Sequence, residues 1–202
     1  RMRFLTPAAA AALLAGCAIN IGNEAPPAAS APGAAPKAAG VDAPAERLPT
    51  DVRRATIIVR DMEKSLALYR DVIGLEVNYD TNVTTSGVAL PAGKPGATAR
   101  LVLLNANDPW VGWIGLMEWT SPPIPADDYP KRMGPGDVVL VLNTDDVEGR
   151  CAAAKQVPGV TFTAEPRLQV YPGRDGGAEI RVMGCNFFDP DGILIELNQI
   201  LD

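Results

Sequence analysis

DMEKSLALYRDVIGLEV, residues Asp61 to Val77, holds a helix and the strand it feeds. Leu66, Tyr69 and Ile73 recur at helical spacing, so Met62 to Asp71 reads as a helix with one apolar face. Gly74 stands where a helix ends, because glycine takes the left-handed C-terminal position without steric cost. LEVNY, Leu75 to Tyr79, continues as a strand. One more strand precedes the helix, ATIIVR (Ala55 to Arg60). Two follow, ARLVLLN (Ala99 to Asn105) and WIGLMEW (Trp113 to Trp119). The order is βαβββ.

The second half repeats that order. DVVLVLN (Asp137 to Asn143) leads to a helix over Val147 to Gln156, then a strand Val160 to Thr163. Glu179 to Phe188 and ILIELN (Ile193 to Asn198) close the repeat. The expected fold is α+β: two tandem βαβββ modules forming a half-open barrel around a cleft that one module could not enclose. The Pro-rich segment Thr120 to Gly136 joins the modules, with Tyr129, Lys131 and Arg132 able to close over a ligand. Tyr171 to Gly177, rich in glycine, reads as a mobile loop near the cleft mouth.

Asp61 to Val77 resembles the first helix of the vicinal oxygen chelate superfamily, the glyoxalase/bleomycin resistance protein/dioxygenase type of domain. FFDPDGILIEL, Phe187 to Leu197, resembles that family's closing hairpin. Asp189 to Gly192 has the chemistry of a tight turn in its own right, with Pro second and Asp-Gly after. The resemblance covers nearly all of the folded part. The superfamily holds lyases, isomerases, dioxygenases and drug-binding proteins, so fold alone does not name the function.

In metal-binding members, cleft-facing positions on the first and last strand of each module supply the ligands. The resemblance carries these positions onto Arg54, Glu118, Asp137 and Glu196. Strand alternation puts Ile114, Leu116 and Glu118 on one face, and Leu194, Glu196 and Asn198 on one face. The chain has no histidine, so the imidazole-ligated iron, nickel or zinc sites of such proteins cannot be built. Arg54 aimed at the same point would repel a cation and pair with the carboxylates instead. The expectation is an Arg–carboxylate ligand-binding cluster of Arg54, Glu118, Asp137 and Glu196, with no cofactor. The alternative is an enzyme with an all-oxygen Mg²⁺, Mn²⁺ or Ca²⁺ site from Glu118, Asp137 and Glu196, or with Glu118 or Glu196 as a catalytic general base. Trp110, Trp113 and Trp119 either line the cleft or, for Trp113 and Trp119, pack beneath the first helix, the second being favoured.

Ahead of the domain, Arg1 and Arg3 precede an apolar run from Phe4 to Leu14 that ends in Leu14-Ala15-Gly16-Cys17. This is the charged, apolar, small-residue order of a secretory signal, too short to span a bilayer of roughly 30 Å. LAGC also resembles the lipobox of bacterial lipoproteins, which implies lipidation of Cys17. The expected organisation is 1–17 signal peptide with lipobox, 18–50 an Ala/Pro-rich disordered tether, and 51–202 the glyoxalase-like domain. Ala18 after Cys17, where Asp would be an inner-membrane retention signal in Gram-negative bacteria, points to the periplasmic face of the outer membrane. A net charge of −6 argues against a nucleic-acid partner. Cys151 and Cys185 could pair in an oxidising compartment, but one lies in a helical pattern and the other before a strand, and two free buried thiols are favoured.

The sequence therefore reads as a lipid-anchored domain of the cell envelope that binds a small organic molecule without a His-ligated metal, with a second copy in a homodimer as a further candidate partner.

Overall fold

The computed structural model describes residues 50–126 and 132–201. The expected signal and tether, residues 1–17 and 18–50, lie outside the described residues except for Thr50, as do Tyr129 and Lys131.

Eight strands and two helices follow the expected order. The first half contains β1 (Arg54–Ile58), α1 (Met62–Leu66), β2 (Glu76–Thr84), β3 (Thr98–Asn105) and β4 (Trp113–Ser121). The second contains β5 (Val139–Asn143), α2 (Val147–Ala154), β6 (Thr161–Tyr171), β7 (Ile180–Phe188) and β8 (Leu194–Leu201). Each half forms its own four-stranded sheet, in the orders β1-β4-β3-β2 and β5-β8-β7-β6. β1 runs parallel to β4 and β5 parallel to β8, while the remaining pairs are antiparallel. The identical order makes the repeat visible in three dimensions. The sheets remain open, which completes the α+β, half-open barrel expectation.

Local details extend the sequence reading. Asp61 caps α1 by accepting from the Lys64 N–H at 3.2 Å. The helix widens into a π-helical turn over Ala67–Val72 before Gly74, at φ +86°, ends it. β6 is far longer than the four residues expected, and runs to Tyr171. The supposed loop at 171–177 therefore begins inside the sheet and contains a short 3₁₀ turn, Arg174–Gly176.

Each sheet has two unlike faces. One packs on the helices through Ile57, Val102, Leu104, Ile114 and Leu116 in the first half, and through Cys185, Phe187, Ile195 and Leu197 in the second. These join Leu66, Tyr69, Val147 and Cys151 in one continuous core. Fully buried Leu104 or Leu116 cut back to Ala would cost about 2–5 kcal/mol. The opposite faces, here called the open faces, carry no helix.

Two buried contacts fix this arrangement, one between the halves and one within the second. Tyr69 of the first half donates its hydroxyl to Asp189 of the second at 2.8 Å. Cys151 and Cys185 form a disulfide, with Cα atoms 6.5 Å apart, that joins α2 to β7. This corrects the expectation of free thiols. A helical position and a strand position came together because α2 lies directly on the helix face of its own sheet, where both residues are fully buried.

Candidate functional site

The open face of the second sheet carries the strongest set of unused polar groups. Strand alternation places Val139, Val141 and Asn143 of β5 there, beside Leu194, Glu196, Asn198 and Ile200 of β8. Across β7 the rows continue: Glu196 lies opposite Asn186, and Asn198 opposite Gly184. Among the described residues the side chains of Asn143, Asn186, Glu196 and Asn198 make no hydrogen bond with one another or with a neighbour. Val141 and Ile200 are 59% and 60% exposed. Gly184 has a specific purpose here. A Cβ on it would collide with Asn198 Oδ1 and come within 3.2 Å of Gln169 Nε2. Without that Cβ, the Asn198 amide lies flat across the sheet.

A groove of about 810 Å³ runs along the end of this face, between the two halves. That volume falls in the range of small-molecule sites, roughly 300–1,000 Å³. Ile73, Leu75, Val141, Leu142 and Ile200 give it apolar walls. Glu76, Asn105, Asn143, Asp145 and Gln199 give it hydrogen-bonding groups of both kinds. Arg150 of α2 supplies its cation. One guanidinium nitrogen of Arg150 donates to the carbonyls of Val72 and Ile73 at 2.7 and 2.8 Å, so it also caps the end of the π-helical turn. Its Nε is buried and has no partner among the described residues.

The four residues expected to converge do not do so. Glu118 sits on the helix face of β4 with Ile114 and Leu116, and its Oε2 accepts the Met62 N–H at the start of α1 at 3.3 Å. Beside it in register, Arg100 binds Asp80 through two bonds of 2.9 and 2.8 Å and Glu63 at 2.7 Å. These hydrogen bonds hold the Asp80 carboxyl below its ordinary range and push the Arg100 guanidinium up. Glu118 thus belongs to the polar lashing of α1. Asp137 precedes β5 instead of opening it, and closes a turn by accepting the Gly134 N–H at 2.7 Å. Arg54 stands exposed at the start of β1, bonded to Thr56 of its own strand at 3.1 Å. Glu196 alone of the three carboxylates occupies the open face of the second sheet.

Glu118, Asp137 and Glu196 accordingly do not fit a shared cation, and neither does the Arg54 cluster form. No group of three or more Cys, Asp or Glu among the described residues is placed to hold a metal ion. The chain also lacks histidine. The chelated metal that the fold family implies has no fitting donor set here.

The tryptophans are a further correction. Trp113 and Trp119 are buried, but on the open face of the first sheet and not beneath α1. Trp113 donates to the Asp108 carbonyl at 3.0 Å, and Trp110 to Asp51 at 3.1 Å with Arg53 stacked 3.8 Å from its ring. Arg150 and the amides of β5, β7 and β8 escaped the sequence reading. A lone Arg in a helix is unremarkable, although Asn143 and Asn198, each closing an apolar run in the sequence, did carry a signal, and the structure sets them opposite each other in register.

Two mirrored βαβββ sheets, in the order β1-β4-β3-β2 and its repeat, agree with a family model that matches residues 52–197. The chain belongs to the Glyoxalase/Bleomycin resistance protein/Dioxygenase superfamily. Among solved structures, this member is similar to a glyoxalase family protein from Bacillus cereus, with 18% identity and a TM-score of 0.59 over 79% of this chain and 100% of that one. It is also similar to TnmS3, an antibiotic binding protein from Streptomyces sp. CB03234, at 23% identity and a TM-score of 0.41, covering 77% of this chain and 100% of that one. A glyoxalase I mutant from Zea mays matches at 19% identity and 0.48, over 73% of this chain and 46% of that one. No curated protein matches the sequence. The likeness to the Bacillus cereus protein is one of fold.

Proposed function

We propose that this superfamily member is a lipid-anchored module that binds a small organic molecule without a His-ligated metal. The observation that carries the reading is the groove of about 810 Å³ at the end of the second sheet's open face, where apolar Ile73, Leu75, Val141 and Ile200 meet Asn143, Gln199 and Arg150. Few convergent polar groups within an apolar cleft are what orient a small ligand. Arg150 favours a ligand with an acceptor or anionic group at that end.

The anchor is Cys17, the tether 18–50 holds the domain off the membrane, and the location is the periplasmic face of the outer membrane. The Cys151–Cys185 disulfide supports this, because such bonds persist in oxidising compartments. Half-exposed Ile58, Val139, Val141 and Ile200 on the open faces favour a homodimer in which a second copy covers them. With a charge of −6, nucleic acid is not a partner.

A second reading, an enzyme with Glu196 as general base, is favoured only by the position of that carboxylate on the open face. One experiment separates the two. The full chain is screened against small organic molecules and against Mg²⁺, Mn²⁺ and Ca²⁺ by thermal shift, with bound metal measured by elemental mass spectrometry. The binding reading expects organic ligands that raise the melting temperature and lose effect in Asn143→Ala. Near-stoichiometric metal that disappears in Glu196→Ala would overturn it in favour of an enzyme.

A further inference from the structure

The open face of the first sheet is covered at one end by the segment 86–96, and beneath it lies an unpaired donor. Trp119 is 3% exposed, and its Nε1 is buried without a hydrogen-bond partner among the described residues. The indole rests directly under Gly93. A Cβ on Gly93 would collide with Nε1, so only a residue without a side chain can lie there. Around the ring, Ala97, Ala99 and Met117 form a small apolar cluster with Val83, Leu101 and Ile124. The two alanines leave the floor beside the indole flat.

The segment's backbone is tied to the sheet at its base. Its base is pinned where the Thr85 and Gly96 N–H groups donate to the Ala97 and Thr85 carbonyls, each at 2.8 Å. The Ala97 N–H adds a bond to the Lys94 carbonyl at 3.0 Å, and further out the bonds are local, from Val88 N–H to Ser86 and from Ala92 N–H to the Leu90 carbonyl. Gly87, Gly93 and Gly96 all have positive φ, which places backbone freedom at both ends and at the contact itself. The tip holds Val88 at 84% exposure, so it has little apolar burial to lose.

We propose that segment 86–96 is a strap over a flat apolar subsite, and that a planar aromatic ligand bearing a hydrogen-bond acceptor lifts it and takes the N–H of Trp119. A buried donor without a partner costs free energy, so natural structures rarely leave one unmet. An acceptor on the ligand meets it, and the ligand's rings replace the strap on the indole and on Met117 and Leu101. This subsite is on the other sheet from the groove. It rests on the binding reading only in that the module takes a small organic molecule.

The test uses the full chain labelled with ¹⁵N-tryptophan and anthraquinone-2-sulfonate as the probe. The chain has three tryptophans, and the indoles of Trp110 and Trp113 are already hydrogen-bonded, so Trp119 gives the one signal free to move downfield. The expected result is a downfield shift of the Trp119 indole on titration, with tenfold or weaker binding in Trp119→Phe. In Gly93→Ala the added methyl keeps the strap off the ring, and the probe should bind severalfold tighter. A Trp119 signal unmoved at saturating probe overturns the proposal, as does wild-type affinity in a folded Trp119→Phe. Should Trp119→Phe not fold, unchanged or weaker binding to Gly93→Ala overturns it. Binding that disappears in Asn143→Ala while the Trp119 signal stays still would sink the strap and leave the groove standing. Absence of any binding to this probe also overturns the strap, while the groove answers to its own screen.

Discussion

The Tyr69 hydroxyl and the Asp189 carboxylate meet at 2.8 Å across 120 residues of chain, both fully buried, and so join the first helix to the turn that launches the last strand. The other oxygen of Asp189 accepts the Asp191 and Ile193 N–H groups at 2.8 Å each. One side chain thus shapes the Asp189–Gly192 turn and docks it on the opposite module. Burial pushes the Tyr69 hydroxyl well up, with the Asp189 charge adding to the effect.

Tyr69→Phe should therefore cost about 1–3 kcal/mol, because it leaves a buried acceptor unmet. The loss should also depend on pH. Burial lifts the Asp189 carboxyl above its ordinary 3.8, so the folded chain holds that proton to higher pH than the unfolded chain does. The charge on Asp189 then counts against the fold as pH rises through that window. Tyr69 favours the charged form, and removing it raises the carboxyl further. Urea denaturation should show a larger loss at neutral pH than near pH 4. An equal loss at both would mean that Asp189 keeps its charge unaided.

Cys151 and Cys185 close a loop with a separation of 34 residues. Loop-closure entropy gives such a bridge roughly 3–4 kcal/mol. Reduction, or the Cys151→Ala/Cys185→Ala double variant, should lower the urea midpoint accordingly. A midpoint insensitive to reductant would show the thiols to be unpaired in solution.

Glu118 and Glu196 should separate cleanly. Glu118→Gln removes the negative charge from the start of α1 and should cost about 0.5–1 kcal/mol without touching ligand affinity. Glu196→Gln faces open space and should leave stability within about 0.5 kcal/mol while weakening a ligand that extends from the groove along the open face. Thermal melts and calorimetric titration of the two variants read both quantities. The reverse assignment would return Glu118 to the cleft.

Gly184→Ala places a methyl where the Asn198 amide lies. The amide must turn off the sheet, at a cost of about 1 kcal/mol in stability. A ligand that extends from the groove along the open face should bind more weakly in this variant as in Asn198→Ala, a match that calorimetry can check. Undiminished binding would remove Asn198 from the site.

Much of this architecture was local and therefore legible. Helical spacing of Leu66, Tyr69 and Ile73, the glycine after them, and the Asp-Pro-Asp-Gly turn each act within a few residues. Alternation in β8 also held: Ile195 and Leu197 are buried, and Glu196 and Asn198 face the other way. In β4 the same alternation grouped Ile114, Leu116 and Glu118 correctly, yet the face was wrong. Both faces of β4 are apolar and buried, with Trp113, Met117 and Trp119 on one and Ile114 and Leu116 on the other. Periodicity says which residues share a face. It does not say which face meets a helix.

By itself, the sequence determined the order of strands and helices, their duplication and the tight turn that closes the second module, because spacing and backbone preference act over short range. Tertiary structure alone decided the rest. It turned Glu118 toward α1, joined Cys151 to Cys185, set Arg150 at the end of a groove and left Trp119 without a partner under Gly93. Each of those outcomes depends on how one element lies against another far along the chain, and no local pattern encodes that placement.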